Sequence, residues 1–375
     1  MPESPISQAF TELDTPAYCL DIDTLETNID RMASFLAERG KQWRPHAKCH
    51  KTPEVAKRQV AAGATGVTVA KVSEAEVYAD AGITDILIAN LVVGPQKLAR
   101  LAELCREANP VVCCDHFAQA EALSEVCQRA GVTCRVVIEM DIGMNRVGVR
   151  PGKDTLELAQ AVDRLPGIDL VGVMGYEGHL LTIEDVDQKR REINAAIGLL
   201  ANAREAMLAH GICCDIVSAG GTGSYQITAD CDVVTELQAG GGVFADPFYL
   251  ERCGVTGLEP SLRLVASVVS RPSLERAIID AGRKALHWDI YPPQVHSTAE
   301  GRPLPDAVVK SLSAEHGTIE LGPQSRDIKI GDKLLLIPGY SDHTTVLHDE
   351  FQITRNGRVE TTWPIVARGI ALAFL

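Results

Sequence analysis

The sequence predicts an α/β protein, an N-terminal (β/α)8 TIM-like barrel followed by a C-terminal, mostly antiparallel β domain. Two observations predict it. Between Trp43 and Gln238, eight short apolar strands alternate with helices of crossover length, which is the rhythm of a closed parallel barrel. After about residue 255 the rhythm stops, and strands follow one another without helices. Residues 22–254 are therefore assigned to the barrel. Residues 255–375, with a strand from residues 1–21, are assigned to the β domain.

The first strand is read at 16–21. A helix is expected at 25–39, with Leu25, Ile29, Met32 and Leu36 on one stripe and Asp23 or Thr24 as its cap. The first barrel strand is expected at 43–48, and Pro53 opens the next helix in a favoured first-turn place. The other barrel strands are expected at 66–70, 85–90, 110–114, 133–140, 170–176, 214–218 and 233–238. Helices are expected between them at 73–81, 95–108, 116–130, 154–165 and 184–210. A doubly wound open sheet competes with this reading. It usually carries a phosphate loop after its first strand, whereas here the glycine clusters follow strands seven and eight. Beyond the barrel, strands are expected at 262–270, 276–280, 317–321, 333–338 and 350–354. Asn356-Gly357 ahead of 358–363 is a hairpin signal.

A net charge of -14 argues against nucleic acid as a partner, and no run of apolar residues is long enough to predict a membrane span. The N-terminus lacks the pattern of a secretory signal. The 11 cysteines are odd in number and scattered through apolar strands, so reduced thiols and a cytoplasmic protein are expected.

The chemistry-bearing residues cluster at the expected C-terminal ends of the barrel strands, where barrel enzymes keep their sites. Arg44-Pro-His-Ala-Lys-Cys-His-Lys51 ends the first. Alternation puts Arg44, His46 and Lys48 on one face, and Lys48 could be poised there as an amine nucleophile. A solvated basic turn is the alternative, and Lys51 is expected in solvent. Glycines in Ser218-Ala-Gly-Gly-Thr-Gly-Ser-Tyr225 and Ala239-Gly-Gly-Gly242 let the backbone approach an anion, with the Thr222 and Ser224 hydroxyls beside it. A strand-end lysine opposite a phosphate cradle is the constellation of a pyridoxal 5'-phosphate site. Arg146, in Glu139-Met-Asp-Ile-Gly-Met-Asn-Arg146-Val-Gly148, either enters the mouth or belongs to a polar loop. Tyr176 is a candidate for the cofactor ring, and His179 for an acid/base or an ordinary loop histidine. In the β domain, Tyr340-Ser-Asp342-His343 offers Asp342 and His343 as ligands of a divalent ion, provided the segment is a turn; an ordinary polar loop is the alternative. Arg44, Arg146 and Arg283 are candidates for a substrate carboxylate.

Together these motifs resemble fold-type III pyridoxal phosphate enzymes, the alanine racemase fold, and within it the group of D-threonine aldolase, 3-hydroxy-D-aspartate aldolase and D-serine dehydratase. The resemblance also covers Lys71-Val-Ser-Glu-Ala-Glu76, Glu236-Leu-Gln-Ala-Gly240, Glu315-His-Gly317 and Trp363-Pro-Ile-Val-Ala-Arg-Gly369. It implies that Lys48 is the Schiff-base lysine and that Thr222, Gly223, Gly240 and Gly241 surround the phosphate; Arg146, Tyr176 and Ser218 are the further candidates for cofactor binding. It implies a small D-amino acid substrate, a head-to-tail homodimer and retro-aldol cleavage to glycine and an aldehyde. β-Elimination to ammonia and a keto acid, and racemisation, are the alternatives. The group's metal lies on a His-x-Asp or His-x-Cys pair. Here Asp342 is kept, Tyr340 stands in the histidine's place, and His343 is the candidate substitute for a Mn, Mg or Zn ion.

Overall fold

The computed structural model describes residues 8–369, in two compact units. Residues 32–240, 252–255 and 367–369 belong to one; residues 241–251 and 256–366, with the chain up to residue 31, belong to the other. The division falls inside the helix Ile22–Ala37. The chain ends included in the β-domain assignment, 1–7 and 370–375, lie outside the described residues.

The first unit is the expected parallel barrel. Its strands are Gln42–Trp43, Val67–Val69, Asp85–Leu91, Asn109–Cys114, Cys134–Glu139, Ile168–Met174, Ile216–Ala219 and Glu236–Leu237. From the second to the eighth, each pairs in parallel with the next, and the eighth pairs with the first. The remaining gap is bridged where His46 meets Thr68, whose N–H donates to the Pro45 carbonyl at 2.9 Å. Both faces of the strands are buried: Val67, Thr68 and Val69, and Ile86, Leu87 and Ile88, are at most 1% exposed. Each such apolar side chain contributes about 1.5–3 kcal/mol by burial. The helix Pro95–Glu107 turns Leu98, Leu101 and Leu104 inward. The helix Phe117–Ala130 is capped by the His116 imidazole and ends at Gly131, whose φ of 65° is left-handed.

The first strand differs from expectation. It stops at Trp43, and Ala47–Cys49 form a 3-10 turn, so Lys48 is not on a strand. Pro45 has no N–H for a ladder, which explains the early end. The alternation argument for one shared face therefore fails. Arg44 is buried, donating through Nη1 to Asp85 at 2.8 Å and through Nε to Glu236 at 3.0 Å. Arg135 also donates to Asp85. These residues come from strands that are not all neighbours, so their side chains meet across the lumen. Asp85 and Glu236 open their strands, which places the cluster towards the N-terminal end, away from the mouth. Arg44 is thus committed to the barrel and unavailable to a substrate. The other expected capping residues also give way: the Asp21 carboxylate accepts from Thr24 N at 2.8 Å, so the helix starts earlier, at Ile22.

The second unit is a mostly antiparallel sheet. The strand Leu262–Ser273 pairs with Arg276–Ile279, Lys333–Ile337 and the early strand Ala17–Asp21. Ala17–Asp21 also pairs, in parallel, with Glu350–Arg355. Asn356 and Gly357 take φ values of 51° and 72° and turn Glu350–Arg355 into Arg358–Pro364, the expected hairpin. Gln294–Thr298 and Ala307–Leu312 are further strands that patterning did not reveal.

Candidate active site

In the barrel unit, the loops that follow the strands hold most of the candidate residues. Lys48 is half-buried in its 3-10 turn, and its backbone N–H donates to His46 Nδ1 at 3.3 Å. Burial, then the charges of Lys48 and Lys51, push the His46 imidazole well below its ordinary range, so it stays neutral and can accept. His50, fully buried beneath the turn, is pushed down to about 3 by desolvation. Lys51 is not in solvent. Its Nζ donates to Glu74 Oε1, and Glu74 Oε2 accepts from Ala70 N at 2.8 Å. The side chains of this pair are 13% and 3% exposed, so it is a built feature rather than a loose surface pair.

The loop after strand seven is held from below by Glu177, which has no exposed surface. Glu177 accepts from Ser224 Oγ at 2.7 Å, Thr228 Oγ1 at 2.6 Å and Gly220 N at 3.4 Å. Ser218 is buried and accepts from Gln238 Nε2 at 2.9 Å, tying strand seven to strand eight. Thr222 is buried in the same loop. The glycines are required by close approach. A Cβ at Gly240 would lie 2.2 Å from the His46 carbonyl oxygen, and one at Gly221 would lie 2.8 Å from the Tyr176 ring. A Cβ at Gly223 would come within 3.1 Å of Cys253 and Leu181. Gly241 belongs to the other unit, where its Cβ would strike the Tyr249 ring at 2.6 Å.

Arg146 is half-exposed. Its guanidinium lies 5.7 Å from the Tyr176 ring centre and 3.7 Å from Glu139 Oε1. Glu139, at the end of strand five, is buried, and its Oε2 finds no hydrogen-bond partner among the described residues. Burial raises its carboxyl to about 7, against the opposing pull of Arg146. His179 is exposed in the 3-10 turn Gly178–Leu180, its ring against Gly143. Sequence reasoning passed over Glu177, Glu139 and the Lys51–Glu74 pair. An acid at or shortly beyond the end of an apolar strand was the available signal for the first two. A cavity of about 540 Å³ lies between Lys71 and Arg100 and is lined by none of the expected site residues.

In the sheet unit, Ser341–Thr345 is one turn of helix, the kind of turn that two adjacent ligands would need. Tyr340 OH donates to Asp342 Oδ2 at 3.3 Å, and His343 Nδ1 lies 3.2 Å from His287 Nε2. Asp246, buried below, accepts from Ser341 N and Oγ at 2.8 and 2.6 Å, and burial raises its carboxyl to about 7. Arg283 is half-exposed and paired with Asp289 at 2.8 Å.

The sequence matches the family description "alanine racemase, N-terminal domain" over residues 20–246, and a serine dehydratase domain description over residues 261–354. The chain belongs to the alanine racemase N-terminal domain family. Within reach of it are the D-threonine aldolase of an Arthrobacter species, 37% identical over 96% of this chain and 94% of the relative, and the 3-hydroxy-D-aspartate aldolase of Paracoccus denitrificans, 35% identical over 96% and 93%. The crystal structure of D-threonine aldolase from Filomicrobium marinum superposes with a TM-score of 0.92 and 37% identity, covering 98% of this chain and 99% of that one. Membership in the family implies pyridoxal phosphate. The chain's glycine loops, which any Cβ would obstruct, and its lysine turn fit that group.

Proposed function

We propose that the protein is a pyridoxal phosphate-dependent lyase that cleaves a D-β-hydroxy-α-amino acid, D-threonine or a close analogue, to glycine and an aldehyde. The observation that carries this reading is near-full-length similarity to two aldolases, combined with a lysine turn and glycine loops in one barrel mouth. When bound, the cofactor supplies an electron sink for the Cα–Cβ bond pair. Lys48 would supply the amine that holds the cofactor. Thr222, Gly223 and Gly240 offer backbone and hydroxyl groups to the phosphate, with Ser218 and Glu177 fixing the loop. Arg146 faces an anionic oxygen of cofactor or substrate, and Tyr176 gives the flat surface beside it. His179 is the candidate in the barrel for taking the β-hydroxyl proton as the aldehyde forms.

For a metal, the expected donors Asp342, His343 and Tyr340 do not fit as a ligand set. A neutral phenol is a poor ligand, the His343 imidazole is paired with His287, and among the described residues no group of three or more His, Cys, Asp or Glu is arranged to hold an ion. No step of the proposal passes through one. A homodimer is proposed from the family resemblance, and light scattering tests it. A cytoplasmic location is proposed from the 11 free cysteines; no described helix is long and apolar enough to cross a membrane.

The match of residues 261–354 to a serine dehydratase domain favours a second reading, β-elimination. One assay separates the two. Purified protein loaded with pyridoxal phosphate is given D-threonine and, separately, L-threonine. Glycine and acetaldehyde from the D-isomer alone support the lyase proposal. Ammonia and a keto acid replace it with elimination, and threonine epimerised without cleavage replaces it with racemisation.

A further inference from the structure

Lys189 is the one buried lysine among the described residues, at 5% exposure. It sits in the first turn of the helix Val186–Ala209, which Asp185 caps. Its Nζ donates to two main-chain carbonyls, Gly223 O at 2.8 Å and Cys253 O at 2.7 Å. Among the described residues no carboxylate lies within ion-pair distance of it. Desolvation pushes its ammonium below the ordinary lysine range, against an opposing pull from the Cys253 thiol, and no carboxylate adds to that pull. The buried acid under the loop of Gly223, Glu177, spends its oxygens on Ser224, Thr228 and Gly220. A buried ammonium held by two carbonyls, with a thiol and no carboxylate beside it, lacks a full counter-ion, which is costly unless an anion arrives. One of those carbonyls belongs to Gly223, in the glycine loop.

We propose that Lys189 is a positioning residue for the phosphate of the cofactor, bracing the Gly221–Gly223 loop through the Gly223 carbonyl and supplying the fixed positive charge that a phosphate dianion there balances. The inference rests on the reading that this loop takes the phosphate. It explains why a lysine is tolerated in a barrel wall where an apolar residue would pack more cheaply. It also gives the loop a cation without placing a flexible charged side chain in the mouth itself.

The test is ligand affinity rather than turnover. Apo protein is titrated with pyridoxal 5'-phosphate and with pyridoxal, which lacks the phosphate, following protein fluorescence. Lys189→Met is expected to weaken pyridoxal phosphate by roughly 10- to 100-fold, leave pyridoxal within about threefold, and be rescued by Lys189→Arg. Equal losses for both ligands would reduce Lys189 to a structural tie and overturn the proposal, as would no loss for either. If wild-type protein itself shows no preference for the phosphorylated ligand, the loop reading fails first, and separately. Should Lys189→Met not fold, the phosphorus resonance of bound cofactor in wild type decides. A nearby cation keeps the phosphate a dianion below its usual second pKa of about 6, whereas titration at or above about 6 contradicts the proposal.

Discussion

The barrel mouth and the Tyr340–His343 turn both gather ionisable side chains, but they are held in different ways. At the mouth, close backbone approach sets much of the geometry, with the buried Glu177 carboxylate holding the loop after strand seven. Gly240 leaves no room for a Cβ against the His46 carbonyl, Thr68 N bonds to Pro45 O, and Lys48 N bonds to His46 two residues before it. At the turn, distant side chains do the holding. Asp246 grips Ser341 across 95 residues of sequence, and His287 meets His343 across 56. A site fixed by its own backbone leaves a local motif in the sequence. A site fixed by distant partners leaves isolated polar residues whose meaning depends on who faces them.

The largest expected effect lies at the mouth. Lys48→Ala removes the one amine assigned to the cofactor and should lower glycine formation by about 10³-fold or more. The melting temperature of the apo protein should move by only a few degrees, because Lys48 is half-buried and outside the core. An active variant would shift the chemistry to Lys51.

Next comes the backbone constraint itself. Gly240→Ala places a methyl 2.2 Å from a carbonyl oxygen that cannot turn away, and should cost about 3 kcal/mol in urea unfolding, with cofactor affinity falling in parallel. Gly198 lies inside the helix Val186–Ala209 with nothing within 4 Å of an added Cβ. Gly198→Ala should stabilise by about 0.5–1 kcal/mol. Equal effects at the two glycines would break the contrast between mouth and wall.

Glu139 gives a pH-dependent test. Its folded carboxyl titrates near 7, above the ordinary value of 4.5, because burial penalises the charged form. Between those values the folded chain binds the extra proton, so this group makes stability fall as pH rises from about 4.5 to about 7. Glu139→Gln removes that slope. The variant should gain about 2 kcal/mol relative to wild type on going from pH 5 to pH 8 in urea unfolding. Parallel profiles would mean that Arg146 keeps the carboxylate charged throughout.

The smallest effect probes the turn. Tyr340→His puts an imidazole two residues before Asp342, and should raise manganese affinity by about tenfold or more in calorimetric titration. Unchanged affinity would mean that the His287–His343 pairing, rather than the phenol, sets what this turn can bind.

Much of the barrel was legible because apolar strands and amphipathic helices repeat with periods that burial enforces, as in Val67–Val69 and Asp85–Leu91. The first strand was misjudged because its composition was read without the missing N–H of Pro45. Lys51 was assigned to solvent because Glu74, its partner, lies 23 residues on in a helix whose inward face a loop lysine gives no hint of. Arg44 looked like a mouth residue until Glu236 and Asp85 met it across the lumen. Strands Gln294–Thr298 and Ala307–Leu312 were hidden by mixed polarity, since only some of their residues are buried. The glycine loops were the easiest part, because close backbone approach admits few residue types.

The lysine to which the cofactor attaches decides the role of the Ala47–Cys49 turn. Protein loaded with pyridoxal phosphate is reduced with borohydride, digested and mapped by mass spectrometry. A pyridoxyl group is expected on Lys48 and none on Lys51, whose ammonium Glu74 holds. Label on Lys51, or on neither lysine, would contradict that assignment.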